Sequence, residues 1–214
     1  LAITFTNKAA GELKERLVGM LGEDGEDIWA RTFHSACVFF LRRDIEKLGY
    51  SSNFSIFDTS DQLTVVKECL SQLNLSDKNF PPKQVLSVIG RAKDELLTPE
   101  DFAKSVGGDY RMNEIAKIYR LYQDKLEAYG ALDFDDIIML TVRLLEENPA
   151  VLSYYQKKFK YILVDEYQDT NHAQYRLVSL LAGEHRNLCV VGDDDQSIYK
   201  FRGANIENIL NFEK

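Results

Sequence analysis

The sequence predicts an α/β fold: a parallel sheet with helices on both faces, interrupted by an all-helical insertion. Three observations carry this expectation. Short apolar runs at residues 1–5, 161–164 and 188–191 are each followed by polar residues and then by apolar residues at helical spacing. Between residues 59 and 160 only helical patterns are legible. The charge is uneven as well: 34 acidic against 26 basic residues give a formal −8, of which −6 falls on residues 54–149.

The elements follow in order. Leu1-Ala2-Ile3-Thr4-Phe5 reads as a buried strand without an initiator Met before it, the look of a piece of something longer. Thr6-Asn7 then leads into a helix carrying Ala9, Ala10, Leu13, Leu17 and Leu21. Ile28-Trp29-Ala30 and a helix from His34 to Leu48, stopped by Gly49, continue the alternation. After a brief run at residues 54–57 the helical signals take over. Ser60-Asp61 can cap a helix bearing Leu63, Val66, Leu70 and Leu73. Pro81-Pro82 opens another, and Thr98-Pro99 sets a cap residue before a proline at the first helical position. Ile115, Ile118, Tyr119, Tyr122 and Leu126 share one face of a longer helix ended by Gly130, and Asp133 starts the next. Thr170-Asn171 precedes a helix closed by Gly183, and Ile206, Ile209 and Leu210 suggest a short final one. The expected organisation is a sheet domain split into residues 1–53 and 150–214, with residues 54–149 inserted.

Composition narrows the function. At 214 residues the chain can bury a core without metal or disulfide staples. No apolar run approaches the roughly 18 residues needed to span a bilayer. Cys37, Cys69 and Cys189 are far apart, which fits a reducing, cytoplasmic setting, and His34 with Cys37 lacks further ligands for zinc. The acidic total speaks against a general polyanion binder but leaves room for a narrow groove of amides, aromatics and a few cations.

Four strings carry candidate chemistry. In Val164-Asp165-Glu166-Tyr167-Gln168-Asp169-Thr170 an apolar strand delivers an Asp-Glu pair to its carboxyl end, the edge where open α/β sheets bind ligands. One carboxylate there can hold Mg²⁺ against nucleotide phosphates and its neighbour can activate water; the plain alternative is a solvated loop. Gly192-Asp193-Asp194-Asp195-Gln196 follows another strand, and Gln196 offers both a donor and an acceptor to a terminal phosphate. Tyr199 and Phe201 alternate there with Lys200 and Arg202, an arrangement that can stack bases and meet phosphates, or pack two rings into a core. Thr4-Phe5-Thr6-Asn7-Lys8 and Arg31-Thr32-Phe33-His34-Ser35 are strand-to-helix junctions whose amides attract phosphate. Leu132-Asp133-Phe134-Asp135-Asp136 reads as an acidic helix start.

Together these strings resemble the superfamily 1 DNA helicases of the UvrD/Rep/PcrA group. T-F-T-N-K-A-A is similar to motif Ia, T-F-H-S to Ib, D-E-Y-Q-D-T to II and G-D-D-D-Q-S-I-Y-K-F-R-G-A to III, in family order, with L-D-F-D-D shortly before motif II. The resemblance implies that residues 1–53 and 150–214 are parts of an incomplete RecA-like domain 1A, and residues 54–149 the helical domain 1B. It implies Asp165 as the Mg²⁺ carboxylate, Glu166 as the carboxylate activating water and Gln196 as the γ-phosphate contact. Phe5, Thr6, Asn7, Lys8, Thr32, Phe33 and His34 would line the single-stranded DNA path. Tyr199, Phe201 and Arg202 would stack on bases or link DNA to the ATP site; members often carry Trp at the Phe201 position. ATP and Mg²⁺ are the implied cofactors. Single-stranded DNA, duplex junctions and the remaining helicase domains are the implied partners, with no membrane.

One departure matters. No G-x-x-x-x-G-K-[ST] occurs in the chain, and the second RecA-like domain with its arginines is missing too. The expectation is therefore a parent that couples ATP hydrolysis to 3′ to 5′ translocation and duplex unwinding, and an N-terminal stretch that does neither alone. A DNA- or protein-binding module and, more remotely, a Mg²⁺-dependent nuclease built on Asp165, Glu166 and Asp193 to Asp195 stand as alternatives.

Overall fold

The computed structural model describes residues 1–193. Its larger sheet has four parallel strands: β1 (Ala2–Thr4), β2 (Ala30–Thr32), β5 (Ile162–Val164) and β6 (Leu188–Val190), in the order β2-β1-β5-β6. Register pairs Ile3 with Arg31 and with Val164, and Val164 with Val190. The chain steps from β1 to one side and later returns to the other, so the strand order reverses beside β1. Because every strand runs the same way, all four carboxyl ends share one edge.

Helices connect and cover these strands. After β1 come α1 (Asn7–Leu21) and the short α2 (Glu23–Glu26); Lys14 Nζ donates to the Gly25 and Ile28 carbonyls and so ties α1 to the approach to β2. α3 (Phe33–Asp44) follows β2 directly, then a 3-10 turn ends at Gly49, whose φ of 86° suits a residue without a Cβ. The second strand is thus shifted by two residues from the Ile28-Trp29-Ala30 run and shares Ala30 with it. Its placement is explained by register, since β1 pairs Ala2 with Ala30.

The middle of the chain is helical as expected, with α4 (Thr59–Gln72), α5 (Pro82–Asp94), α6 (Pro99–Ser105), α7 (Tyr110–Ala128) and α8 (Phe134–Glu147). Two details correct the sequence reading. The cap of α4 is Asp58, with Asp61 as the reciprocal partner of a capping box. A strand does occur within residues 59–160: β4 (Ala131–Leu132) pairs in parallel with β3 (Ser55–Ile56). A two-residue strand has no periodicity to detect. α9 (Pro149–Lys158), unanticipated, opens on a proline after Asn148. α10 (His172–Ala182) is capped by Asn171 in a second kind of box with Gln174. The suggested helix at residues 206–210 lies outside the described residues.

Two apolar cores result. One joins Ile3, Ile162 and Val164 of the sheet to α3, α8 and α10 through Phe40, Leu144 and Leu177. The other is made by α4, α5 and α7, with Phe102 of α6 added. α8, although within residues 54–149, buries Ile137, Leu140, Leu144 and Leu145 with the sheet. Among the described residues the opposite sheet face is half covered: Leu13 and Leu17 of α1 line an apolar groove with Ala2, Leu163 and Cys189, which share one register row. Cys189 is exposed there, whereas Cys37 and Cys69 are buried. Among the described residues, no helix is long and apolar enough to cross a membrane.

Candidate functional site

The carboxyl edge of the sheet gathers the sequence strings. At the end of β1, Thr4 is buried, Phe5 is half-buried with its ring 5.3 Å from Phe33, and Thr6, Asn7 and Lys8 are exposed. Thr6 caps α1, its hydroxyl accepting from the Ala9 amide at 3.1 Å. Among the described residues Lys8 makes only a loose 3.9 Å approach to Glu12. The local reason for the junction is plain: a strand ending in Thr cannot continue past a residue whose side chain satisfies the first turn of a helix.

β2 ends in the same way. Thr32 caps α3, accepting from the Ser35 amide at 3.1 Å while Ser35 Oγ accepts from the Thr32 amide. Phe33 is 1 % exposed and points into the core, so its ring supports Phe5 rather than meeting a surface ligand. His34 is half-buried; its Nε2 lies 3.1 Å from the Phe134 carbonyl and its ring 5.0 Å from the half-exposed Phe134 ring. Burial lowers the His34 pKa, and the Phe134 carbonyl opposes that only in part.

β5 hands over the acidic pair. Asp165 is half-exposed and its Oδ1 accepts from the Glu166 amide at 3.0 Å; its other oxygen has no hydrogen-bond partner among the described residues. Glu166 is exposed and occupies the left-handed region at φ 51°, ψ 42°, rare for a residue with a Cβ. A 3-10 turn, Tyr167–Asp169, follows, and the Tyr167 amide donates to the Val191 carbonyl at 2.9 Å. Burial first, then the Glu166 carboxylate, pushes the Asp169 pKa up.

The end of β6 therefore lies against the Asp165–Glu166 loop, and Asp193 is three residues short of Gln196. Gln196, Tyr199, Phe201 and Arg202 lie outside the described residues. The structure brings the Ia, Ib and II strings and the start of III to one edge.

Sequence reasoning passed over two groups. Gln168, 1 % exposed, bridges the Glu166 carboxylate and the Asp193 amide. The second is a buried ionic cluster where α5 meets α8. Lys93 Nζ lies 2.7 Å from Asp133 Oδ2 and 2.8 Å from Asp136 Oδ1, and the Tyr122 hydroxyl donates to Asp133. Burial works against the Lys93 charge, but the two carboxylates outweigh it and hold the ammonium pKa above its ordinary value. Burial, then the Asp133 charge, pushes Asp136 up to about 6. Next along α5, Asp94 accepts from Asn171 Nδ2 at 2.7 Å, and burial with Asp135 and Glu95 pushes it up to about 7. Asn171 follows the Asp165–Thr170 string directly, so the helical segment touches the cap of the helix leaving it.

A parallel sheet with its strand order reversed beside β1, and acidic, amide and hydroxyl groups gathered at its carboxyl edge, is an incomplete RecA-like α/β core. The sequence pattern of the UvrD/REP helicase N-terminal domain matches residues 1–214, and the chain belongs to that family. It is 56 % identical over all 214 residues to the ATP-dependent DNA helicase PcrA of Bacillus subtilis. It is 54 % identical to the PcrA of Staphylococcus aureus strain Mu50 and 53 % to that of Staphylococcus epidermidis, again over 214 residues. The chain spans 29 % of the length of each of these relatives.

Proposed function

We propose that residues 1–214 are part of the motor of an ATP-dependent DNA helicase that couples ATP hydrolysis to 3′ to 5′ movement along single-stranded DNA and to duplex unwinding. The observation that supports this reading is the adjacency of β5 and β6, in which the Tyr167 amide beside the Asp165–Glu166 pair bonds the Val191 carbonyl at the end of β6. The Asp165 donor set fits Mg²⁺: a half-exposed carboxylate with one oxygen engaged by a backbone amide and the other available to a hard cation. Asp165 would hold the ion, which supplies charge neutralisation at the phosphates. Glu166 orients and deprotonates water, and Gln196 contacts the terminal phosphate.

The exposed Thr6, Asn7 and Lys8, with Phe5 behind them, form the start of the DNA path, together with Thr32 and His34. Phe33 supports them from the core. Tyr199, Phe201 and Arg202 stack on bases or link the DNA to the ATP site. The sheet domain comprises residues 1–53 and 150–214, with the insertion at 54–149 and its own core in α4, α5, α6 and α7. The molecule works on DNA in the cytoplasm, on single strands and duplex junctions, joined to the remaining helicase domains. Residues 1–214 alone do not turn over ATP. The nuclease alternative depends on Asp194 and Asp195, outside the described residues.

The test is DNA-stimulated ATP hydrolysis by the full-length protein. Glu166→Gln should lower kcat at least about 100-fold, in the range seen when a positioned base is lost. Retained turnover in that variant, or turnover by residues 1–214 alone, would overturn the respective half of the reading.

A further inference from the structure

The Gln168 side chain makes two bonds of opposite sense. Its Nε2 donates to Glu166 Oε2 at 2.7 Å, and its Oε1 accepts from the Asp193 amide at 3.0 Å. The orientation of the amide is fixed by its partners, because a carboxylate only accepts and a backbone N–H only donates. An ionised Glu of the same length would accept at both oxygens and could not donate to Glu166. Gln168 is buried, so neither bond is exchanged freely with water.

Glu166 is exposed and held in left-handed backbone geometry, which persists only when its surroundings enforce it. The enforcing bonds run from the Tyr167 amide to the Val191 carbonyl, from the Asp169 amide to the Glu166 carbonyl and from the Thr170 hydroxyl to the Tyr167 carbonyl. They fix the backbone. Among the described residues the Gln168 amide is the group that holds the carboxylate, and it does so from a residue that also grips the exit of β6.

We propose that Gln168 is a positioning residue that aims the Glu166 carboxylate and locks it to the segment leaving β6, so that a shift of Asp193 moves the carboxylate with it. The inference rests on the reading of Glu166 as the group that activates water. It assigns to the fourth residue of Asp165-Glu166-Tyr167-Gln168 the transmission between the two strand ends.

The experiment is steady-state ATP hydrolysis by the full-length protein at saturating single-stranded DNA, with Gln168→Met, Gln168→Glu, Glu166→Gln and the double variant Glu166→Gln/Gln168→Met. Gln168→Met keeps the length and removes both bonds. Gln168→Glu keeps the acceptor, loses the donor and sets a second carboxylate against Glu166. Both should lower kcat about tenfold or more with KM for ATP changed less than about twofold, and Gln168→Met should add nothing in the Glu166→Gln background. If one variant fails to fold, the other carries the test.

Wild-type kcat in a folded Gln168 variant, a rise in KM alone, or full additivity in the double variant overturns the proposal. Those outcomes leave the Glu166 assignment standing if Glu166→Gln is inactive. An active Glu166→Gln instead removes the reading on which the proposal rests.

Discussion

Asp94 is where single-residue chemistry is most exposed to measurement. Burial, then Asp135 and Glu95, raises its pKa to about 7 in the folded chain against 3.8 for an ordinary carboxyl. The folded state therefore binds the proton more tightly than the unfolded state. The Asp94 contribution to stability falls as pH rises from about 4 to about 7 and stays low above that. Asp94→Asn, which keeps an oxygen for Asn171, should leave thermal unfolding at pH 5 nearly unchanged. At pH 8 it should raise the unfolding temperature by about 2–4 °C, the effect of roughly 1 kcal/mol in a chain of this size. A variant that gains equally at both pH values would show that Asp94 is not protonated in the fold. Little of this was legible beforehand. Asp94 sits in Lys93-Asp94-Glu95, which looks like a solvated helix face, and its partner Asn171 is 77 positions away. The carboxylate pair Asp165-Glu166, by contrast, was legible because a strand of apolar residues runs straight into it.

Elements were read well where a local signal sets their ends. Thr98 before Pro99, Asp133 before its helix and Asn171 before α10 all accept from the third residue beyond them. β4 escaped because two residues between Gly130 and Asp133 cannot alternate, and its partner β3 lies about 75 positions earlier. α8 was legible as a helix but not in its allegiance, since the pattern of Ile137, Leu140 and Leu144 says which face is buried and not against what. The string at Asp133 reads as an acidic helix start, and Asp133 does cap α8; its burial beside Lys93 has no local sequence signal. That ion pair joins α5 to α8, and truncating it leaves Asp133 buried without its cation. Lys93→Met should destabilise the chain by about 3–5 kcal/mol, the usual cost of removing one member of a buried pair. In denaturant melts this means a lower midpoint with an unchanged slope. A loss below about 1 kcal/mol would mean that water reaches the cluster.

At the scale of the molecule, the parallel α/β architecture followed from strands alternating with helices, whereas the order β2-β1-β5-β6 did not, because periodicity carries no information about which strands are neighbours. The half-covered sheet face was equally hidden: Leu163 and Cys189 become a row only once β5 and β6 pair. That face gives the protein a built-in chemical reporter. Burial pushes the Cys37 and Cys69 thiols up to about 12, so neither offers appreciable thiolate to an alkylating reagent near neutrality. The exposed Cys189 thiol should take up one equivalent of maleimide from the native chain, with mass spectrometry assigning the adduct to its peptide. Any polypeptide that settles over Leu163 would shield that sulfur, and the slowing of its modification would time the arrival.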